Sequence, residues 1–461
     1  MPWTLDETYQ RTLRGINEAD WEVAHRLFQF AAVASRPLRV EELADLLAFD
    51  FEAGPTPKFY EGWRVEDPVD AVLSACSRLI AVVDIGGYPI IQFSHFSVKE
   101  FLTSPRLAEA SDIIHRRYHV SMTAAHTLAS QACLGTLLHL DRDLMTRDSL
   151  EDYALAKYAA EHWVSHAHFE EVSQRVEDGM KQLFDPSKSH LTVCIWIYDP
   201  ELPWAKGNSG DERPLPRPRS PLYYAAFWGL DSIVHFLVIE HSQDVHSRSF
   251  IDATPLHAAS ANGHKRVARF LLERGADVSA RDMYETTPLH KASPAGHIDI
   301  VHMLIERGAD ISSQDAYENT PLHLVSQEGH VDIAHMLIGR GADVSAQDKF
   351  KSTPLHQASR EGHVDIAHIL IERGADVSAR DLLGRTPLHL ASQEGNMDVV
   401  RMLIDRGADV LAESNEGDTP LHLASQEGHV EVVHMLVERA ADVSGPRQEQ
   451  EDPITSGIDS D

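Results

Sequence analysis

Thr254-Pro255-Leu256-His257-Ala258-Ala259 opens a unit that returns as Thr-Pro-Leu-His at Thr287, Thr320, Thr353, Thr386 and Thr419. Each of these threonines lies 33 residues after the last, and a fixed period of that length marks a chain built from stacked repeats. The motif has mechanical sense. The Thr254 hydroxyl can cap a helix, and Pro255 suits the first helical position, where no backbone donor is needed. Ala258 and Ala259 are small enough for close helix packing. Gly263-His264 breaks to a second helix, in which Val267, Ala268, Leu271 and Leu272 recur at helical spacing. Gly275 supplies a left-handed stop. A projecting turn around Asp282 to Glu285 leads into the next unit.

This pattern resembles the ankyrin repeat. Five units keep the stop as Gly-Ala-Asp, at Gly275, Gly308, Gly341, Gly374 and Gly407. An earlier, degenerate unit reads Ser220-Pro221-Leu222-Tyr223-Tyr224-Ala225-Ala226, and the last carries Ala440 in place of the stop glycine. The sequence therefore predicts seven repeats over residues 220–444, with atypical units at the two ends.

The whole chain has 461 residues, 43% of them hydrophobic and 24% charged, as in an ordinary globular protein. Its formal net charge of −30 argues against phosphate-backbone binding, which needs clustered Lys and Arg. The three cysteines, Cys76, Cys133 and Cys194, lack metal-site spacing and read as buried thiols in a reducing compartment. No apolar run reaches membrane-spanning length and no secretory pattern opens the chain. The default location is the cytoplasm, with the nucleus open.

Residues 1–110 read as a compact α+β unit. Trp21, Ala24, Leu27, Phe28 and Ala31 trace one helix, Val40 to Leu47 a second, and Ala71 to Ser77 a third. A Pro- and Gly-rich loop spans Phe51 to Pro68. Gly86-Gly87 between two apolar runs signals a hairpin, giving the outline of a winged helix. Residues 111–198 read as helical, over Ile113 to Leu138 with a possible break near Gly135, then Leu150 to His166 and Phe169 to Leu183. Leu191 to Tyr198 is apolar and strand-like. Residues 199–219 read as a Pro-rich connector, and 445–461 as an acidic disordered tail. The fold class is mostly α, an ankyrin-repeat solenoid preceded by a winged-helix-like α+β unit and a helical region.

A second resemblance rests on Leu5-Asp6-Glu7-Thr8-Tyr9, the Leu27 to Leu47 helix pair and Phe93-Ser94-His95-Phe96-Ser97-Val98-Lys99-Glu100-Phe101-Leu102. These are similar to the segment just downstream of the NACHT nucleotide-binding domain in fungal NLR-like proteins. The resemblance implies a sensor half that relays to, or restrains, a NACHT-type NTPase, in cis within a longer chain or in trans. No G-x-x-x-x-G-K-[ST] occurs in this sequence. That loop cradles nucleotide phosphates, so NTP hydrolysis is not carried over and no cofactor is expected.

The 28 histidines are mostly repeat grammar. His257, His290, His323, His356, His389 and His422 hold the motif position, and His264, His297, His330, His363 and His429 follow the glycine, with Asn396 standing in once. Both sets suit backbone groups between repeats. His302, His335, His368 and His434 recur in the second helix, but Arg269 and Arg401 fill the same slot, which a metal site would not allow; no metal is expected. His95 and Ser97 lack the converging third group that catalysis needs.

What remains is surface. Three residues before each motif threonine stands a fingertip: Ile251, Tyr284, Tyr317, Phe350, Leu383 and Glu416. Five consecutive tips are apolar or aromatic, the chemistry of interaction hot spots. The ends of the first helices read Gln327-Glu328, Arg360-Glu361, Gln393-Glu394 and Gln426-Glu427, a ladder of carboxylates that suits a basic partner. The bland readings are rings that stiffen their neighbours and a solvated charged edge. The leading expectation is a non-enzymatic module that binds a protein through fingertips and groove. The alternatives are a stand-alone ankyrin adaptor, an enzyme, and a winged-helix regulator that binds nucleic acid through Arg36, Arg39, Arg78 and Lys99.

Overall fold

The computed structural model describes residues 5–110, 112–140, 142, 145–201 and 220–444. The expected Pro-rich connector, apart from its first three residues, and the expected acidic tail lie outside the described residues. The chain divides into two compact units, residues 1–247 and 248–461.

The first unit begins with helices Leu5–Arg14, Trp21–Val33, Val40–Ala44 and Pro68–Cys76. Three antiparallel strands, β1 (Leu38–Arg39), β4 (Ile80–Ile85) and β5 (Tyr88–Phe93), form a sheet in the order β1-β5-β4. Gly86 and Gly87 turn the β4–β5 hairpin with φ of 65° and 88°, the left-handed region that glycine enters freely. Ile91 sits between Leu38 and Val82 in the ladder register, with its side chain buried. The loop expected from Phe51 to Pro68 carries more structure than its composition suggests. β2 (Phe49–Asp50) pairs with β3 (Lys58–Phe59), and the Phe49 and Phe59 rings meet edge-on at 5.1 Å.

The helical region departs from the sequence reading in instructive ways. Met122–His139 runs unbroken through Gly135. That glycine marks a close approach: an added Cβ would lie 2.7 Å from Phe49 Cε1 and 2.8 Å from the Pro57 carbonyl. The stretch from Leu150 to His166 splits instead where a side chain binds loop backbone. Asp45 Oδ2 accepts the Leu155 N–H at 3.1 Å, just ahead of the helix Ala156–Ala167. A one-turn helix, Val172–Arg175, precedes Glu177–Phe184. Leu191 to Tyr198 is a helix, His190–Ile197, rather than a strand. Its Leu191, Val193, Cys194 and Ile195 are all buried, and a short apolar run gives no period that tells the two conformations apart.

Glu42 fastens this unit internally. It is almost fully buried and takes a bidentate pair from Arg36 at 2.8 and 2.6 Å, plus the Arg39 N–H at 2.7 Å. Such forked charge-assisted bonds are strong and direction-specific. The first repeat-like pair, Pro221–Phe227 and Asp231–His235, belongs to this unit as well. Trp228 packs edge-on against Trp163 at 5.5 Å and Phe184 at 6.1 Å.

Among its described residues the second unit contains six further helical pairs, from Pro255–Ala261 with Lys265–Glu273 to Pro420–Glu427 with Val430–Ser444. The motif builds them as its chemistry dictates. Thr254 caps the His257 N–H, with Pro255 at the first helical position. Leu256, Ala259, Ala268 and Leu271 are fully buried, the apolar stripe of each amphipathic helix facing its neighbour. The last helix is longer than its counterparts because Ala440 replaces the stop glycine.

Candidate protein-interaction surface

The fingers of the second unit are stitched to one another through their backbones. The carbonyls of Ile251, Tyr284, Tyr317, Phe350 and Leu383 accept from the N–H groups of Met283, Ala316, Lys349, Leu382 and Asn415, at 2.7 to 3.0 Å. Within each finger an aspartate closes the turn: Asp315 Oδ1 takes the N–H groups of Tyr317 and Asn319, both at 2.9 Å. Asp282, Asp348 and Asp381 do the same in their own fingers. The fingers are therefore fixed in their backbones.

Their side chains are not consumed by this scaffold. Tyr284, Tyr317, Phe350 and Leu383 are 49, 56, 54 and 49% exposed, while Ile251 is half-buried. Among the described residues no ring pair joins Tyr284, Tyr317 and Phe350. The Lys291 ammonium stands over the Tyr284 ring at 5.9 Å. A rigid backbone that holds separate apolar side chains half in water suits protein binding, because little entropy remains to be lost.

The helix-end residues divide into two roles. Glu328, Glu361, Glu394 and Glu427 are exposed. Gln327 and Gln426 are exposed, whereas Arg360 and Gln393 are half-buried. The backbone carbonyls of Gln327, Arg360 and Gln393 are already engaged, accepting from His363, Asn396 and His429 at 2.9, 2.6 and 2.9 Å. Asn396 thus performs the bond that histidine makes elsewhere.

The motif histidines are structural. His257 Nε2 donates to the Thr286 carbonyl at 2.9 Å, and its Nδ1 accepts the Thr254 N–H at 3.1 Å. The same pair of bonds recurs at His290, His323, His356 and His389. Burial holds all five below the usual histidine range, His257 at about 4. No cluster of three or more potential metal ligands occurs among the described residues.

Two features escaped the sequence reading. Met283 and Leu382, each just before a fingertip, are 56 and 53% exposed and widen the apolar strip. Arg248, Arg281 and Arg380 clamp adjacent fingers: Arg281 Nη1 donates to the Glu285 carbonyl at 3.0 Å and to the Gln314 carbonyl at 2.6 Å. Arginine at matching positions in three units was the available signal. In the first unit, Arg36 and Arg39 are committed to Glu42, which removes two of the four bases named for a nucleic-acid surface. Among the described residues no helix is long and apolar enough to cross a membrane.

Comparison with known proteins agrees with this geometry. The family described as ankyrin repeats (3 copies) matches residues 222–315, 312–381 and 378–446. The family described as GPI inositol-deacylase, winged helix domain, matches residues 11–113. The azaphilone pigments biosynthesis cluster protein L of Monascus ruber is 30% identical over 284 residues, covering 59% of this chain and 59% of that relative. Alpha-latrocrustotoxin-Lt1a of Latrodectus tredecimguttatus is 40% identical over 65 residues, 14% of this chain and 5% of that protein. The matches thus span less than two thirds of either relative. The chain carries ankyrin repeats in its C-terminal half and, N-terminal to them, a winged-helix domain of the GPI inositol-deacylase type.

Proposed function

We propose that this protein is a non-enzymatic recognition module that holds a protein partner along its fingertips. The observation that carries the reading is the row Tyr284, Tyr317, Phe350 and Leu383, half-exposed on backbones already tied together. The exposed carboxylates Glu328, Glu361, Glu394 and Glu427 favour a partner with basic residues at regular spacing. By its resemblance to fungal NLR-like proteins, the N-terminal half relays capture to a NACHT-type NTPase, in a longer chain or in another protein, in the cytoplasm or nucleus. Tyr284→Ser, Tyr317→Ser and Phe350→Ser made together should weaken partner capture while helical content stays intact; unchanged capture would refute the fingertip reading.

The second reading is an adaptor with no NTPase attached. A relative that matches 59% of this chain is named for a pigment biosynthesis cluster, and an adaptor among the proteins of one cluster suits that name. Co-purification of a NACHT protein with this chain would decide against the adaptor.

A further inference from the structure

The last helical pair, Pro420–Glu427 and Val430–Ser444, repeats the interior grammar of the array up to its outer side. His422 is exposed, whereas His389, one repeat earlier, is fully buried. Val430 and Val437 are 65 and 50% exposed. Terminal repeats ordinarily turn a polar face to water.

Four groups on this pair and the finger before it stand where filled ones stand one repeat earlier. The Leu383 carbonyl accepts the Asn415 N–H at 2.9 Å; Glu416 holds the equivalent carbonyl. His389 Nε2 donates to the Asp418 carbonyl at 3.0 Å; His422 holds the equivalent nitrogen. The Gln393 carbonyl accepts from His429 Nε2 at 2.9 Å; Gln426 is its successor. Asp405 pairs with Arg439 at 3.1 Å, and Glu438 stands one period on. Among the described residues no side chain meets the Gln426 carbonyl or the Glu438 carboxylate, no N–H meets the Glu416 carbonyl, and no acceptor meets His422 Nε2.

We propose that the outer side of this last pair is a docking surface for a helical repeat of another protein, which continues the array by one unit and brings a cation to Glu438. The five preceding interfaces define the hydrogen bonds that fit, and the Asp405–Arg439 pair of the last one defines the cation. The partner supplies a finger carbonyl to His422, a finger N–H to Glu416, a His or Asn side chain to Gln426, an Arg or Lys to Glu438, and aliphatic carbon against Val430 and Val437. A second copy of this chain is a poor occupant. Its first repeat-like pair is already packed through Trp228 on Trp163 and Phe184, and two chains of net charge −30 repel.

The test titrates the full 461-residue chain with a designed three-repeat ankyrin array. The probe is capped at its trailing end, uncapped at its leading end, and carries Arg at the place equivalent to Arg439. Saturable one-to-one binding is expected. Val437→Asp and Glu438→Arg should each weaken it at least tenfold, and a probe with that Arg changed to Glu should recover the affinity of the Glu438→Arg chain. The fingertip triple substitution should leave it unchanged, which separates this surface from the one proposed above. Absent binding, or binding indifferent to both end-face substitutions, overturns the proposal. So does self-association of the chain alone that Val437→Asp abolishes. Binding that emerges only after residues 445–461 are deleted overturns it too, because the chain's own end would then be the occupant.

Discussion

His356 Nε2 donates to the carbonyl of Arg385, 29 residues further on, at 3.1 Å, while its Nδ1 accepts the Thr353 N–H at the same distance. One buried imidazole therefore starts its own helix and holds the base of the next finger. His356→Leu removes both bonds and leaves a buried carbonyl and N–H without partners, a cost of about 3 kcal/mol. His422→Leu, at the exposed end, should cost less than about 1 kcal/mol, since only one of the two bonds exists there to be lost. Hydrogen exchange across residues 353–385 and 419–444 in the two variants checks the contrast; equal losses would contradict it.

The same histidines make the second unit acid-labile. Nδ1 must accept a backbone N–H, so the ring has to be neutral, and burial holds His257 at about 4 against an ordinary 6.5. A depressed folded-state value means that the unfolded chain takes the proton first. Stability is then complete above pH 6.5 and falls as the pH drops toward 4. For His257 alone the loss reaches about 3 kcal/mol. His290, His323, His356 and His389 shift the same way. Thermal melts should hold down to about pH 6.5 and fall from there to pH 5, above the range where most carboxylates titrate, and His257→Gln should flatten the slope. A flat wild-type profile would show that these rings do not carry the effect.

Among the described residues five serines are buried with hydroxyls that meet no partner: Ser260, Ser293, Ser326, Ser359 and Ser392, at the same place in five successive repeats. Each is fully buried, Ser260, Ser326, Ser359 and Ser392 within a first helix and Ser293 at its C-cap, where alanine would leave no polar atom. Serine to alanine should stabilise by about 0.5–1 kcal/mol per site, because a desolvated hydroxyl disappears and alanine is the better helix former. Denaturation of the Ser326→Ala and Ser359→Ala double variant tests this; a lower midpoint would mean that the hydroxyls are satisfied by water.

Finger turns divide by what sits at their left-handed position. Glu318 and Lys351 occupy it at φ of 62° and 57°, and Gly384 at 74°. A side chain there costs about 1 kcal/mol. Lys351→Gly should thus be neutral or mildly stabilising, the gain being offset by the looser unfolded chain. Gly384→Ala should destabilise, since its Cβ would also run into the Asn415 side chain and backbone nitrogen. Chemical denaturation of the two variants should move in these different directions.

Local chemistry is why the array could be read without coordinates. Thr, Pro, His and Gly each act within a few residues of where they stand, and the period repeats that lesson six times. The winged-helix hairpin was legible for the same reason, through Gly86-Gly87. Where the reading failed, a distant partner decided. Gly135 looked like a break until Phe49 and Pro57 were placed beside it. The helix His190–Ile197 was not legible because it is buried on several sides, which erases any period. The fingertips were identified by position, but their exposure depended on neighbouring fingers that no spacing reveals.

The most direct measurement is quantitative capture by immobilised full-length protein from lysate of its native source, comparing wild type with the Tyr284→Ser, Tyr317→Ser and Phe350→Ser variant. Circular dichroism of both should match. A partner enriched by wild type and reduced at least tenfold by the variant is the expected result. A partner retained equally by both would place recognition elsewhere on the chain and remove the basis for the proposed function.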